Sequence, residues 1–213
     1  SGELLTVTGS DVALLGSPEQ LADEVVTQKV LGREYRLGAT GFWQVHRAAA
    51  EVLTSCVLEM LLPVAGQRAL DLYCGAGLFA GALDSAGCSV TGIEANRAAV
   101  EFAKQNVPNG EFFAGQVAKH LRHLEPGWDL AVLDPPRSGA GADVVKRLVA
   151  LAPEQIAYVS CDPATLASDL ERFQKLGYAV LDVRAFDLFP LTHHVETVAS
   201  LFRFADAHQT MLS

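Results

Sequence analysis

The sequence lacks the features that mark membrane, secreted and fibrous chains. No apolar run approaches the roughly 18 residues that would span a bilayer. The amino terminus has no basic region followed by an apolar stretch, so no secretory signal is expected. Gly and Pro form no repeat and no low-complexity segment, which argues against a fibrous or disordered chain. With 213 residues, half of them hydrophobic, the chain is expected to build one sizeable core.

Cysteine is scarce, and its spacing excludes the common metal sites. The four cysteines are Cys56, Cys74, Cys88 and Cys161, and no two form a CxxC pair. Neither zinc nor iron–sulfur ligation is therefore expected, and no metal site is predicted. Cys56 and Cys88 are interpreted as small buried hydrophobic residues. Four free thiols also favour a reduced, cytoplasmic setting.

An excess of positive charge is missing too, since the net charge is -9. Proteins that bind nucleic acids are usually basic, because contacts to phosphate supply most of the affinity. The composition argues against nucleic-acid binding by the surface as a whole. It leaves open a small basic face, or a binding region outside these residues.

Strands and helices alternate along most of the chain. Residues 1–40 predict short strands or hairpins, and a helix is predicted from Val45 to Leu62, ended by Pro63 and Gly66. The predicted strands that follow are Ala69–Tyr73, Ser89–Glu94, Glu111–Phe113, Leu130–Leu133, Gln155–Ser160, Tyr178–Phe186 and Val195–Phe204. The predicted helices are Leu78–Ala86, Arg97–Asn106, Gln116–His123, Ala142–Leu151 and Pro163–Leu176. This alternation predicts an α/β fold with a mostly parallel, seven-stranded sheet that ends in an antiparallel hairpin.

The first strand of this alternation leads into a glycine-rich turn. Gly75 and Gly77 follow that strand and open a helix, where glycine lets the backbone turn tightly and approach a ligand. Glu94 ends the next strand, about 20 residues further on, where an acid can hold two ribose hydroxyls. The pattern is typical of sheets that bind either NAD or S-adenosylmethionine.

Two features favour S-adenosylmethionine over NAD, and a third residue bears on the kind of substrate. Asp71 stands just before the glycine turn, where a carboxylate suits the cationic amino-acid part of that cofactor. Asp134 ends the fourth strand and precedes two prolines, at the sheet edge where α/β proteins bind ligands. Arg137 follows those prolines, where methyltransferases that modify amino groups commonly have an aromatic residue. It favours a polar clamp on a phosphate or a base.

Cys161 ends the fifth strand and is a candidate nucleophile. Asp162 is a good N-cap and Pro163 suits the first helical position, so the thiol stands at a helix amino terminus. Such a position lowers a thiol pKa from about 8.5 to roughly 3.5–7.5 in reactive sites. The charge of Asp162 opposes this effect, and Arg137 could offset it. A buried structural cysteine remains open as the alternative.

Glu196 begins the last predicted strand and so falls at a sheet edge. His193 and His194 precede it, but they do not have the HExxH spacing of zinc sites. From position alone, a surface glutamate and a functional carboxylate both remain open.

Five ordered segments together resemble one family, the RNA uridine-5-methyltransferases that form 5-methyluridine in tRNA and ribosomal RNA. The likeness runs from residue 35 to residue 203. The segments are Phe42-Trp43-Gln44-Val45, Asp71-Leu72-Tyr73-Cys74-Gly75-Ala76-Gly77, Asp134-Pro135-Pro136-Arg137-Ser138-Gly139, Tyr158-Val159-Ser160-Cys161, and Phe189-Pro190 through His194-Val195-Glu196.

The resemblance implies a Rossmann-like class I fold, S-adenosylmethionine as cofactor and a role for each site residue. Cys161 would be the nucleophile and Glu196 the general base, while Asp134 and Arg137 would hold a flipped uridine. The residues expected to bind the cofactor are Gln44, Asp71, Tyr73, Gly75, Gly77, Glu94 and Asp134. Three positions depart from the family pattern, namely His46, Asp162 and Leu191.

The resemblance also suggests how the chain is organised. Relatives commonly carry an oligonucleotide-binding barrel and a central RNA-binding domain. Residues 1–40 are expected to be a β-rich remnant of that central domain, 41–206 the catalytic domain, and 207–213 a tail. The RNA would then be held mainly by regions outside this chain. Two alternatives stay open: methylation of another substrate, such as cytosine C5 or a small molecule, and a non-catalytic domain that binds S-adenosylmethionine.

Overall fold

A computed structural model describes residues 5–8, 13–44, 46, 48–188 and 195–204. The strands are β1 (Leu5–Thr8), β2 (Ala13–Gly16), β3 (Val25–Val30), β4 (Arg33–Gly38), β5 (Arg68–Leu72), β6 (Ser89–Glu94), β7 (Glu111–Ala114), β8 (Leu130–Leu133), β9 (Gln155–Ser160), β10 (Tyr178–Phe186) and β11 (Glu196–Arg203). The helices are α1 (Pro18–Leu21), α2 (Ala49–Leu61), α3 (Leu78–Ser85), α4 (Arg97–Asn106), α5 (Val117–His120), α6 (Gly141–Leu151) and α7 (Pro163–Lys175), with a 3-10 turn at Leu121–His123.

The central sheet has seven strands in the order β10-β11-β9-β8-β5-β6-β7. The pairs among β5, β6, β7, β8 and β9 are parallel, whereas β11 runs antiparallel to both β9 and β10. The mostly parallel sheet with a final antiparallel hairpin, predicted from the sequence, is therefore confirmed. Because the connections reverse direction between β5 and β8, a crevice opens at the carboxyl ends of these strands.

The predicted elements are present, with their ends displaced by a few residues. The long helix begins at Ala49 and ends at Leu61, because Leu62 takes a left-handed conformation with φ 44° and Pro63 cannot continue a helix. The predicted helix Gln116–His123 is divided into α5 and the 3-10 turn. The last strand is shorter at both ends than the predicted Val195–Phe204.

Apolar side chains cover both faces of the sheet, as a sheet of parallel strands requires. On one face, α2, α3 and α4 pack against strand residues such as Val132 and Val198. On the other face, α5, α6 and α7 pack against residues such as Leu133 and Ile156. The helices thus cover both faces of the sheet, and the loops at its carboxyl edge leave from between the two layers.

The hairpin β3–β4 belongs to the same core. Tyr35 is only 1% exposed and packs with the α3 side of the sheet. Arg33 donates to the carbonyl oxygens of Gly81 and Asn106 and forms an ion pair with Asp84 at 2.9 Å. The hairpin therefore buries its side chains in the same core as α3 and α4, as expected for a segment too short to form a domain of its own. The domain boundaries at residues 40 and 206 stay a prediction.

Candidate active site

Register alone brings two predicted catalytic residues to one edge of the sheet. Thr197 is paired with Ser160, and its hydroxyl donates to the Ser160 carbonyl oxygen at 3.0 Å. Because β11 runs antiparallel to β9, Glu196 and Cys161 stand opposite each other, one residue beyond that pair. β11 thus begins where β5, β6 and β8 end, so Glu196 shares their carboxyl edge.

The loop after β5 is shaped by residues with left-handed backbone conformations. Tyr73, Gly75 and Gly77 have φ values of 64°, 52° and 89°. The N–H groups of Tyr73 and Cys74 donate to the carbonyl oxygen of Ile93 at 2.8 and 3.2 Å. A Cβ at Gly77 would lie in ordinary contact with Ala103 at 3.4 Å, so the left-handed φ, and not the packing against α4, is what favours glycine there.

Glu94 fastens this loop to the neighbouring strand. Its Oε2 accepts from the Gly75 N–H at 3.2 Å, and its Oε1 accepts from the Asn96 N–H at 2.7 Å. The carboxylate therefore ties the glycine turn to the end of β6, and it is not among the residues that line the cavity between this turn and β8. The contact with ribose hydroxyls that the sequence suggests for Glu94 stays a prediction.

Asp71 is fully buried behind the loop. Its Oδ2 accepts from the Ala80 N–H at 2.8 Å, while Oδ1 has no hydrogen-bond partner among the described residues. Burial, with further contributions from the charges of Asp134 and Glu94, raises the pKa of Asp71 to about 8. Asp71 and Gly77 shape the loop from behind and do not line the cavity described next.

A cavity opens between the glycine loop, the end of β8 and the segment that precedes α2. Four of the predicted cofactor-binding residues line it, namely Gln44, Tyr73, Gly75 and Asp134. The other lining residues, for which the sequence analysis predicts no individual role, are Phe42, Trp43, Cys74, Ala76, Leu78 and Phe79. The lining is largely apolar with a few polar groups, which is the usual character of a small-molecule site.

The wall of this cavity is supported by the β3–β4 hairpin. The Tyr35 and Trp43 rings lie 5.8 Å apart between centroids, and the Tyr35 hydroxyl donates to the Leu78 carbonyl oxygen at 3.1 Å. Phe42, by contrast, is 76% exposed at the rim. Trp43 and Phe42 could have been suspected from the sequence, since they directly precede Gln44 in one of the family segments.

Cys161 is surrounded by one cation and two carboxylates. Partial burial raises the pKa of the Cys161 thiol, and the charge of Glu196 raises it further. A hydrogen bond from Arg137 and its positive charge lower that pKa, and Asp134 contributes a smaller rise. The lowered thiol pKa expected from the helix amino terminus is therefore wrong for this site, because desolvation and two acids outweigh the one arginine.

The two carboxyl groups beside the thiol also resist ionisation. Glu196 is 5% exposed, and burial raises its pKa, against which Arg137 acts. Burial and the charge of Glu196 raise the pKa of Asp134 to about 7. Asp134 thus belongs both to the cavity and to the charged group around Cys161, so the two parts of the site are continuous.

The histidine pair His193-His194 lies outside the described residues, as do Phe189, Pro190 and Leu191. In the described part of the chain, no group of three or more His, Cys, Asp or Glu side chains is arranged to hold a metal ion. Within the same residues, no helix has the length and apolar character needed to cross a bilayer.

Two families of methyltransferases match parts of this chain. Residues 47–158 match the methyltransferase small domain family. Residues 127–203, which include Asp134, Cys161 and Glu196, match the family described as tRNA (Uracil-5-)-methyltransferase. A relative from Streptomyces avermitilis, named an uncharacterized RNA methyltransferase, is 52% identical over 183 residues. That match covers 83% of this chain but only 42% of the relative, so the chain spans less than half of its relative's length.

Solved structures share the fold. The tRNA (uracil-54, C5)-methyltransferase of Pyrococcus abyssi, crystallised with S-adenosyl-L-homocysteine, is 32% identical, with a TM-score of 0.73 over 91% of this chain and 48% of that one. A TehB-like S-adenosylmethionine-dependent methyltransferase from Corynebacterium glutamicum is 18% identical, with a TM-score of 0.57 over 71% of this chain and 88% of that one. The second likeness concerns the fold alone.

The sheet order, the glycine loop and these likenesses define a class I S-adenosylmethionine-dependent methyltransferase fold. More narrowly, the chain belongs to the methyltransferase small domain family, and its carboxyl-terminal third carries the tRNA (uracil-5-)-methyltransferase pattern. The resemblance to RNA uridine-5-methyltransferases found in the sequence is confirmed.

Proposed function

We propose that this chain is the catalytic domain of an enzyme that methylates carbon 5 of uridine in RNA. The observation that carries the proposal is the position of Glu196 opposite Cys161, at the same sheet edge as the glycine loop and Asp134. A nucleophile, a base and a cofactor cavity would then serve one base. The tRNA uracil-54 C5 activity of the Pyrococcus abyssi relative supports the choice of uridine.

The cavity suits S-adenosylmethionine. Its glycine turn lets the backbone approach a ligand, and a Cβ added at Gly75 would have open space around it. Gln44, Tyr73 and Asp134 offer polar groups, while Trp43 and Phe79 offer apolar surface. When bound, this cofactor supplies the methyl group that carbon 5 receives. The relative crystallised with S-adenosyl-L-homocysteine supports this cofactor class.

Carbon 5 of uracil is a poor nucleophile, and the role of Cys161 is to activate it. Addition of the Cys161 thiolate to carbon 6 forms a carbon–sulfur bond and moves the ring electrons toward carbon 5 and the carbonyl oxygen. Arg137 stabilises the thiolate needed for this step, because its hydrogen bond and charge lower the Cys161 pKa. Asp134 and Arg137 would also orient the ring.

Glu196 completes the reaction. Once carbon 5 carries the methyl group, it still holds a proton, and the Glu196 carboxylate removes it. The released electron pair forms the carbon 5–carbon 6 double bond, the carbon–sulfur bond breaks, and Cys161 leaves as a thiolate. A raised Glu196 pKa suits a base, because it gives the carboxylate a stronger affinity for the proton.

RNA is the proposed partner, and the target uridine would have to leave its stack at a cost of a few kcal/mol. With a net charge of -9, the chain would obtain most of its phosphate contacts from regions outside these residues. Free cysteines at all four positions agree with a cytoplasmic enzyme. Both tRNA and ribosomal RNA fit this description.

The test is incubation with S-adenosylmethionine and uridine-containing RNA, followed by mass spectrometry of the digested nucleosides. We expect 5-methyluridine. Methylated cytidine or a methylated small molecule would assign a different substrate to the same fold. Tight binding of S-adenosylhomocysteine without transfer to any RNA would contradict the proposal and favour a non-catalytic binding domain.

A further inference from the structure

The loop between β8 and α6 carries Arg137, and residues of α7 contact this loop and its junction with α6. The loop makes a turn closed by the Gly139 N–H, which donates to the Pro136 carbonyl oxygen at 2.8 Å. An exposed loop of this length would not by itself hold an arginine against Cys161. Its position must therefore come from contacts with the rest of the protein.

Asp169, two turns into α7, supplies the central contact. The residue is 1% exposed. Its Oδ2 accepts from the N–H groups of Ala140 and Gly141 at 2.8 and 3.3 Å, and from the Tyr158 hydroxyl at 2.7 Å. Its Oδ1 is bound by Arg172. A buried carboxylate with this many donors is held in one orientation, so the end of the loop and the first residue of α6, which supply two of them, are held as well.

The loop is shaped to receive this carboxylate. Gly139 has φ +78°, and a Cβ placed there would come within 2.8 Å of Asp169 Oδ2. The Tyr158 hydroxyl also accepts a hydrogen bond from the Ala140 N–H, at 3.0 Å, while it donates its own proton to Asp169. Tyr158 belongs to β9, so the network joins the loop to the sheet as well as to α7.

A second contact lies nearer the thiol. The Thr165 hydroxyl is 3.1 Å from the Arg137 carbonyl oxygen, and it is also 3.2 Å from two oxygen atoms of Asp162. The Thr165 N–H donates to Asp162 Oδ1 at 2.8 Å, which caps α7 directly after Cys161. Helix α7 therefore begins two residues after Cys161, and Thr165 in its first turn contacts the loop that carries Arg137.

We propose that Asp169, assisted by Thr165, is a positioning residue that holds the Arg137 loop beside Cys161 and so sets both the reactivity of the thiol and the orientation of the substrate ring. The inference deepens the proposed function and rests on it for the RNA substrate. Its effect on the thiol can be measured without RNA.

The first measurement is the pH dependence of Cys161 alkylation by iodoacetamide, followed by mass spectrometry. All four cysteines lie in the described part of the chain, and Cys56, Cys74 and Cys88 are buried while Cys161 is partly exposed. In Asp169→Ala, the alkylation midpoint should move to higher pH and the rate at pH 7 should fall at least about 3-fold, because Arg137 no longer stabilises the thiolate. Methyl transfer should fall by about 10-fold or more, mainly in kcat.

A double-variant cycle separates positioning from general loosening. If Asp169 acts through Arg137, then Asp169→Ala in an Arg137→Met background should move the alkylation midpoint no further than Arg137→Met alone. Independent, additive shifts would overturn the proposal. Ser168→Ala is the matched control, because this exposed neighbour on α7 bonds only to the Ala164 carbonyl oxygen among the described residues, and it should leave the midpoint unchanged.

Thr165 provides the test if Asp169→Ala does not fold. Thr165→Val removes the hydroxyl and keeps the shape, so it should raise the midpoint, while Thr165→Ser should restore it. An unchanged midpoint in folded Asp169→Ala, or in Thr165→Val, would overturn the positioning role. If the parent protein is alkylated as expected but methylates no RNA, the proposed function fails while the alkylation cycle still decides the role of Asp169.

Discussion

The two halves of the site are built from different materials. The cofactor half is centred on a loop shaped by its backbone, with left-handed residues Tyr73, Gly75 and Gly77 and peptide groups bonded to the next strand. The half around Cys161 is made of charged side chains, and the charges of Arg137, Glu196 and Asp134 all act on the pKa of the Cys161 thiol. Shape should therefore govern the first half, and charge the second. Variants that act on one half and spare the other sharpen this contrast.

The largest expected effect belongs to the nucleophile. Cys161→Ser should lower methyl transfer by at least about 1,000-fold, because the hydroxyl is a far weaker nucleophile than the thiolate. The affinity for S-adenosylhomocysteine, measured by calorimetry, should stay within about 2-fold, since Cys161 does not line the cavity. Cys56→Ala, on α2, serves as the control. A large loss of cofactor affinity in Cys161→Ser would break the division between the halves.

The next effect concerns stability through Asp71. Its pKa is about 8 in the folded protein against an ordinary value of 3.8, so between these values the folded state binds a proton that the unfolded state has lost. Stability should therefore fall as pH rises through this window, by about 1.4 kcal/mol per pH unit at most. Asp71→Asn should make that slope clearly smaller between pH 5 and pH 7, as measured by urea unfolding, and the slope that stays is the share of Asp134, whose pKa is about 7.

Asp23→Asn, on the exposed connection before β3, is the matched control for this slope. It should leave the pH dependence of the unfolding free energy as it is in the parent protein. An Asp71→Asn protein that keeps the parent slope would mean that the buried carboxyl is ionised throughout the range.

A smaller effect is expected from backbone strain at Gly75. This residue has φ +52°, which Asn tolerates and a β-branched residue does not. Gly75→Val should weaken S-adenosylhomocysteine binding by about 10-fold, and Gly75→Asn by clearly less. Both variants add a side chain, so their difference reports the backbone. Equal losses would show that side-chain bulk, and not conformation, governs this half.

The smallest effects are shifts of the Cys161 titration. Glu196→Gln removes a negative charge that raises the thiol pKa, so the alkylation midpoint should fall. Arg137→Met removes the hydrogen bond and charge that lower it, so the midpoint should rise. Each shift should be about one pH unit or less. Two shifts in the same direction would contradict the charge-built character of this half.

The same contrast explains how much the sequence could predict. The glycine loop, Asp134, Cys161 and Glu196 follow buried strands or begin them, and parallel topology carries such positions to one edge. The segment around Gln44 was found through the family resemblance. These are local signals, and the pairing of the strands places their ends at one edge of the sheet. The roles of the residues stay a prediction.

Other features depend on burial between distant segments, which no local pattern encodes. The β3–β4 hairpin belongs to the core because Tyr35 packs against residues of α3 and α4, which lie far from it in the sequence. Asp71 lies behind the loop and not in the cavity. The raised thiol pKa of Cys161 follows from desolvation by neighbours distant in sequence. Nothing in the sequence around Asp169 distinguishes it from other polar residues of a helix.

The most direct test of the central claim is the fate of Glu196→Gln with S-adenosylmethionine and uridine RNA. Without the carboxylate, the methylated base keeps its carbon 5 proton, so the bond to Cys161 cannot be released. Denaturing electrophoresis and peptide mass spectrometry should find RNA covalently attached at Cys161. Normal turnover, or an adduct on any other residue, would contradict a shared site for these two side chains.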